Sequence, residues 1–152
     1  MYLRTHVEAE VDVSAVEVWG VLNDFGNYYQ LHPLIKLSPI TNGIHSGLGA
    51  EREVIFFDGT SIRQTILDIV EGESLLIGFS ESDLPIKHAT AKIAIEPPDQ
   101  SFCRISIDIT YEPKYGLVGY IYIPTLRNRA SLMLRGLKHF VTTGEELKID
   151  FS

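Results

Sequence analysis

The residues able to do chemistry in this chain are few, and they fall into two groups. One is a pair of arginines, Arg52 and Arg63, set in the strand-like runs EREVIFF and SIRQTIL. An arginine turned into an apolar interior with a hydroxyl beside it suits a carboxylate or a phenolate, because the guanidinium fork matches two acceptor oxygens. The other is NDFGNYYQLHPLI, residues 23–35, which crowds Phe25, Tyr28, Tyr29, His32 and Pro33 into a span too short for an ordinary helix. Such rings have apolar bodies and polar tips and can line the entrance of a pocket. The plainer reading is that they plug the end of a sheet, since aromatic residues fill cores as readily as pockets. For Arg52 the plainer reading is a side chain snorkelling toward a sheet edge near Gly49.

Other chemistries are excluded by spacing. The five histidines, at positions 6, 32, 45, 88 and 139, have no metal-ligand spacing, and no cofactor motif is present. The glycines of NGIHSGLGAER lack the third glycine of a dinucleotide loop, and a strand follows where a helix is required. No serine has a nucleophile-elbow context. Cys103 lies on the apolar side of a strand, as an inert core thiol does. Catalysis would therefore be acid–base work around a bound ligand, with His32 and Tyr111 the candidates near Arg52.

The elements that must position these residues can be read from periodicity. Residues 2–13 alternate, with Leu3, Thr5, Val7, Ala9, Val11 and Val13 on one side, as in a half-buried strand. Ser14 and Glu17 form a capping box before Ala15, Val18, Leu22 and Phe25 at helical spacing, and Gly26 ends this helix. Pro33 stops further helix, and a strand runs from Ile35 to about Thr41. Turn signals at Asn42-Gly43, Asp58-Gly59, Gly72 and Pro97-Pro98-Asp99 then separate runs near 50–57, 60–70, 74–81, 86–96 and 101–112, an antiparallel meander. From Gly116 to Leu147 the period becomes helical, with Val118, Tyr122, Leu126, Met133, Leu137 and Val141 on one stripe and a bend expected at Pro124. Seven strands and one long helix close a core only if the sheet curls around the helix.

If Asp58-Gly59 is a two-residue hairpin loop, Phe57 pairs with Thr60 and Arg52 faces Thr65. Ala50, Arg52, Val54 and Phe56 then share a face with Ser61, Arg63, Thr65 and Leu67. Glu51, Glu53, Gln64 and Asp68 claim the other face, which must be the wet one. The price of this register is that Ile55, Ile62 and Ile66 also face out. A three-residue turn at Gly72 would bring Arg63 to Glu81 as a cross-strand ion pair, leaving Arg52 as the inward cation without an acid.

The chain has 152 residues, a length read as one domain, 1–152. Its 13 basic and 20 acidic residues give a net charge of −7, which argues against nucleic acid and anionic membrane surfaces. One cysteine suits a reducing compartment. MYLRTHVEAE offers no signal peptide, and no run approaches the roughly 18 apolar residues of a membrane span. A cytoplasmic protein is expected, without stable membrane insertion; the sequence does not set an oligomeric state.

The order of elements, with VDVSAVEVW, NDFGNYYQLHP, NGIHSGLGAEREVIFFDG and YEPKYGLVGY…LRGLKHF, resembles the START-like helix-grip (SRPBCC) superfamily, whose fold is also that of the birch pollen allergen. More narrowly it is similar to the polyketide cyclase/dehydrase and lipid-transport family. In that family the position of Leu31 is often a tryptophan. The resemblance implies an α+β helix-grip fold, a seven-stranded curved antiparallel sheet wrapped around a long C-terminal helix. A shorter likeness to the plant abscisic-acid receptors, through REVIFFDG and TILDIVEGESLLIGFS, implies that Val54, Phe56, Thr65 and Phe79 face a ligand cavity. The expected ligand-binding set is Tyr29, His32, Arg52, Val54, Phe56, Arg63, Thr65, Leu67, Phe79, Ala91, Ile93, Tyr111, Tyr122, Leu126 and Met133. Two functions follow. One is a binding or carrier protein for a small hydrophobic or amphipathic molecule, anionic if Arg52 anchors it. The other is a polyketide cyclase, aromatase or dehydratase working by acid–base catalysis in the same cavity.

Overall fold

In the computed structural model, which describes residues 2–97, 101–114, 121 and 123–149, the first strand follows its alternating pattern. β1 (Leu3–Val11) buries Leu3, Thr5, Val7 and Val11. The Ser14 Oγ accepts the Glu17 N–H at 3.3 Å and caps α1 (Ala15–Asn23), which turns Ala15, Val18, Trp19 and Leu22 inward. A 3-10 segment, Phe25–Gln30, follows, with a kink at Asn27. The Ser38 hydroxyl ties this segment to the next strand by accepting the Tyr29 N–H at 3.0 Å and donating to the Gly26 carbonyl at 2.8 Å. β2 (Ile35–Leu37) is shorter than the expected 35–41, and beyond it only an isolated bridge joins Ile40 to Arg52.

β3 (Glu51–Phe56), β4 (Ser61–Val70), β5 (Ser74–Ser80), β6 (Ile86–Glu96) and β7 (Cys103–Pro113) complete a seven-stranded sheet of order β1-β7-β6-β5-β4-β3-β2. Every neighbouring pair is antiparallel. The curved sheet holds α2 (Ile123–Thr143), whose Leu126, Ala130, Met133, Leu134 and Leu137 are buried, and which packs against β1 and α1. This is the helix-grip architecture. Gly144, at φ +76°, ends α2 by donating its N–H to the Phe140 carbonyl at 2.8 Å, so the helix stops short of the expected Leu147. The expected start at 116 lies outside the described residues. Pro124 is the second residue of α2, where its missing N–H is an unpaired donor position in any case, so no bend is needed.

The β3–β4 register differs from expectation by one residue. Phe56 donates to the Thr60 carbonyl at 2.9 Å and Gly59 donates back to Phe56 at 3.0 Å, so the loop is Phe57-Asp58-Gly59 with Gly59 at φ +90°. A turn closed by a left-handed glycine adds one residue to the loop. Arg52 consequently pairs with Gln64 and Val54 with Ile62. Because side chains alternate, a one-residue slip exchanges the whole faces of β4. Ile62, Gln64 and Ile66 are inside, while Arg63, Thr65 and Leu67 are outside. Leu67 is also the extra residue of a bulge, between the pairs Ile66–Ile77 and Asp68–Leu76. Replacing Gly59 by alanine is expected to cost about 1–2 kcal/mol. Its Cβ would meet nothing within 4 Å, so only the backbone conformation is at stake. Gly59→Asn should recover most of that loss, because asparagine tolerates the left-handed region, measurable by urea unfolding; equal destabilisation by both would contradict the left-handed assignment.

Candidate functional site

Between the sheet and α2 lies a cavity of about 60 Å³. β3 supplies Arg52 and Phe56, β4 Ile62 and Gln64, β5 Ile77 and Phe79, β6 Ala91 and Ile93, and β7 Ile107 and Ile109. Leu84, from the β5–β6 loop, closes one side. Leu126, Arg129, Ala130 and Met133 come from α2, and Tyr28 and His32 from the segment between α1 and β2. The space takes a handful of waters and is well below the several hundred Å³ of a drug-sized pocket.

Arg52 is only 4% exposed. Its Nε and Nη2 donate to the Gln64 Oε1 at 2.8 and 2.6 Å, and its Nη1 donates to the Phe25 carbonyl at 3.0 Å. The guanidinium lies between two rings, 3.7 Å from the Phe25 centroid and 3.9 Å from that of Tyr28. Burial pulls its pKa down to about 9, so it remains charged at neutral pH. Among the described residues no carboxylate pairs with it. The hydroxyl expected beside it, that of Thr65, is replaced by the Gln64 amide through the register change.

His32 is 3% exposed and makes edge contacts with the Tyr28 ring at 6.0 Å and the Phe56 ring at 6.2 Å. The Leu34 N–H donates to its Nδ1 at 3.2 Å, so Nε2 carries the proton of the neutral ring, and the Arg129 backbone carbonyl also acts on it. Desolvation lowers its pKa to about 4, against the carbonyl's pull. Burial likewise raises the Tyr28 phenol, while the charges of Arg52 and Arg129 draw it back.

Of the residues expected to bind ligand, His32, Arg52, Phe56, Phe79, Ala91, Ile93, Leu126 and Met133 border the cavity together. Val54 and Tyr111, both 0% exposed, are packed into the core beside it without lining it. Tyr29 instead borders an outer cleft, shared with Phe57, Asp58 and the 146–149 tail. Arg63, Thr65 and Leu67 are corrected to the outer face. The Arg63 Nη1 lies 2.8 Å from the Glu81 Oε2, so the expected ion pair forms there, although Arg63 is opposite Ser80 in register. The Thr65 hydroxyl is 3.5 Å from the Glu51 carboxylate, and Leu67 covers Gly78. Tyr122 lies outside the described residues.

Arg129 was not among the expected residues. It faces the cavity with its guanidinium carbon 4.3 Å from the Phe56 ring centroid, and its Nη2 lies 3.8 Å from the Asp58 Oδ2. The signal was present in the sequence: Arg129 falls three residues after Leu126 and four before Met133, a cation inside the apolar stripe.

Residues 3–139 match the family described as polyketide cyclase / dehydrase and lipid transport. No curated protein matches the chain significantly. Solved structures share its fold at low identity. An uncharacterised protein from Bacillus thuringiensis has a TM-score of 0.79 at 18% identity, over 92% of this chain and 99% of that one. Norcoclaurine synthase from Thalictrum flavum, in complex with dopamine and hydroxybenzaldehyde, has a TM-score of 0.75 at 18% identity, over 97% and 90%. A START superfamily protein from Mycobacterium smegmatis has a TM-score of 0.76 at 16% identity, over 91% and 97%.

Proposed function

Since the chain belongs to the polyketide cyclase/dehydrase and lipid-transport family, we propose that it is a binding or carrier protein for a small amphipathic molecule, with Arg52 as the anchor of an anionic end. The observation that carries this reading is the buried guanidinium in a largely apolar wall, with no carboxylate paired to it among the described residues. Three of its five N–H groups are engaged, which leaves two for a ligand oxygen. The rings on both its faces favour the cation and confine approach to its edge. A ligand of ordinary size requires the cavity to widen, and α2 and the 28–33 segment form the wall opposite the sheet.

A cyclase or dehydratase in this cavity would need a base with an open lone pair. His32 offers none, because its Nδ1 already accepts the Leu34 N–H and its other nitrogen carries the proton. The Tyr28 phenol, with its raised pKa, is a donor at neutral pH. This favours binding over catalysis. The complex of norcoclaurine synthase with dopamine and hydroxybenzaldehyde supports a cavity of this kind accepting aromatic molecules. No helix among the described residues is long and apolar enough to cross a membrane. The reading takes residues 1–152 as one domain acting in the cytoplasm.

The test is a thermal-shift panel of aromatic and fatty carboxylates beside their neutral amides, on the wild type and on Arg52→Met. A ligand at a hundredfold its Kd adds about 2.7 kcal/mol, a rise of about 5–10 °C for a chain of this size. Acids should outperform amides in the wild type only. An acid preference that survives in Arg52→Met moves the anchor elsewhere, and no response to any amphiphile removes the binding function.

A further inference from the structure

Arg129 presents the least satisfied charge in the cavity wall. Its Nη1 is buried and has no hydrogen-bond partner among the described residues. Its Nη2 is 3.8 Å from Asp58, too far for a hydrogen bond. Asp58 is anchored by Thr60, whose N–H and hydroxyl donate to its Oδ1 at 2.9 and 2.6 Å, and its Oδ2 stays at 3.8 Å from Arg129. The face of the guanidinium is spent on the Phe56 ring. What remains is an edge with an unused donor, at the cavity that Arg52 also borders. The two cations flank Tyr28: Arg52 stacks on its ring, and both charges act on its phenol. A buried donor without an acceptor is rare in native proteins and costly, so one held at a cavity wall calls for an acceptor from outside the chain.

A ligand with a single oxygen acceptor can satisfy only one of these guanidinium groups. We propose that Arg129 is a second anion-binding residue of the cavity, and that the ligand's polar end carries two neighbouring oxygen acceptors, as an ortho-hydroxy or oxo carboxylate does. Arg52 takes the carboxylate through its two remaining N–H groups, and the Arg129 Nη1 takes the adjacent oxygen. Asp58, on the solvent side of Arg129, competes electrostatically for the same cation and weakens the site. The inference rests on the carrier reading above and narrows its ligand class.

Titration calorimetry with three probes tests it: 4-hexyl-2-hydroxybenzoate, 4-hexylbenzoate and 4-hexyl-2-hydroxybenzamide. The wild type should bind the hydroxy acid at least tenfold more tightly than the plain acid. Arg129→Met should bind the two acids equally while still preferring them to the amide, a preference that Arg52→Met loses. Asp58→Asn keeps the acceptor for Thr60 but removes the competing charge, and should tighten the hydroxy acid severalfold. A tenfold advantage that persists in Arg129→Met overturns the proposal, as does a wild type that does not distinguish the acids. If Arg129→Met does not fold, Asp58→Asn decides, because unchanged affinity there also overturns it. Failure of every acid to bind the wild type defeats the carrier reading itself, whereas Arg52-dependent binding of the plain acid with no hydroxyl advantage defeats only this inference.

Discussion

Gly136→Ala is expected to destabilise the protein by about 2 kcal/mol and to lower its Tm by about 4–8 °C. The backbone of residues 31–33 runs directly over α2 at this position. A Cβ on Gly136 would lie 1.9 Å from the Leu31 carbonyl oxygen, 2.8 Å from its carbon and 3.3 Å from the Pro33 ring. Two of these are main-chain atoms, which no rotamer change can move aside. The helix and the segment carrying His32 would have to separate by more than 1 Å, an overpacking cost at the upper end of the usual range, about 3 kcal/mol. Alanine returns up to about 1 kcal/mol of helix propensity, which sets the net loss near 2. Gly20→Ala is the control. Gly20 is exposed on α1 and its Cβ would meet nothing within 4 Å, so the same substitution there should stabilise by up to about 1 kcal/mol. Changes of the same sign in thermal melts of the two variants would contradict the close approach at Gly136. The clash also presses on the segment that carries His32 to the cavity wall, so the substitution should reduce ligand-induced stabilisation as well.

The elements were legible wherever period and punctuation agreed. β1, β6 and β7 alternate cleanly, and their inward residues, such as Ala91, Ile93, Ile105 and Ile109, are buried as the pattern requires. The β3–β4 hairpin was the failure, and its cause is local. Asp58-Gly59 fits a two-residue loop as well as the end of a three-residue one, and only the backbone conformation of Gly59 decides between them. That single residue determined whether Arg63, Thr65 and Leu67, or Ile62, Gln64 and Ile66, turned to the inside of the sheet. The conflict was visible in the chain itself, since the two-residue loop put three isoleucines in water. Two of them, Ile62 and Ile66, return to the core in the longer loop, and Ile55 stays half-buried outside.

The site was legible to the extent that it depends on β3, whose parity Glu51 and Glu53 fix independently of the loop. Arg52 and Phe56 follow from it. Arg129 was hidden by the convention that a charge on a helix wheel belongs to the wet face, although its spacing from Leu126 and Met133 puts it on the apolar one. Gln64 was hidden by the register. Both are long polar side chains that reach the cavity from apolar surroundings, and hydrophobic patterning has no power to announce such residues.

Acid should weaken this protein before its carboxylates titrate, and His32 should be the reason. The folded pKa, about 4, is below the unfolded value of 6.5. The folded state therefore resists a proton that the unfolded chain takes up readily. The stability this contributes is full above pH 6.5 and is lost as pH falls toward 4, by about 3 kcal/mol at about 1.4 kcal/mol per unit. His6 runs the other way. Its raised pKa, set first by the Asp108 hydrogen bond and then by Glu8, favours the folded state at low pH and is lost as pH rises. Asp58, whose lowered pKa reflects its bonds to Thr60, matters only below its ordinary value of 3.8. Between pH 6.5 and 4 the decline should therefore belong to His32. Once protonated, the ring is a charge buried against Tyr28 and Phe56 and near Arg129, with its Nδ1 no longer able to accept the Leu34 N–H. The segment 28–33 must then leave the cavity wall. Urea unfolding of the wild type and His32→Gln at pH 7, 5.5 and 4.5 separates the outcomes. The variant should be less stable at pH 7, because it loses the buried ring, yet decline much less steeply with acid. Parallel curves for the two proteins would mean that His32 takes up its proton in the folded state as easily as in the unfolded chain, and that the wall of the cavity does not depend on its neutrality.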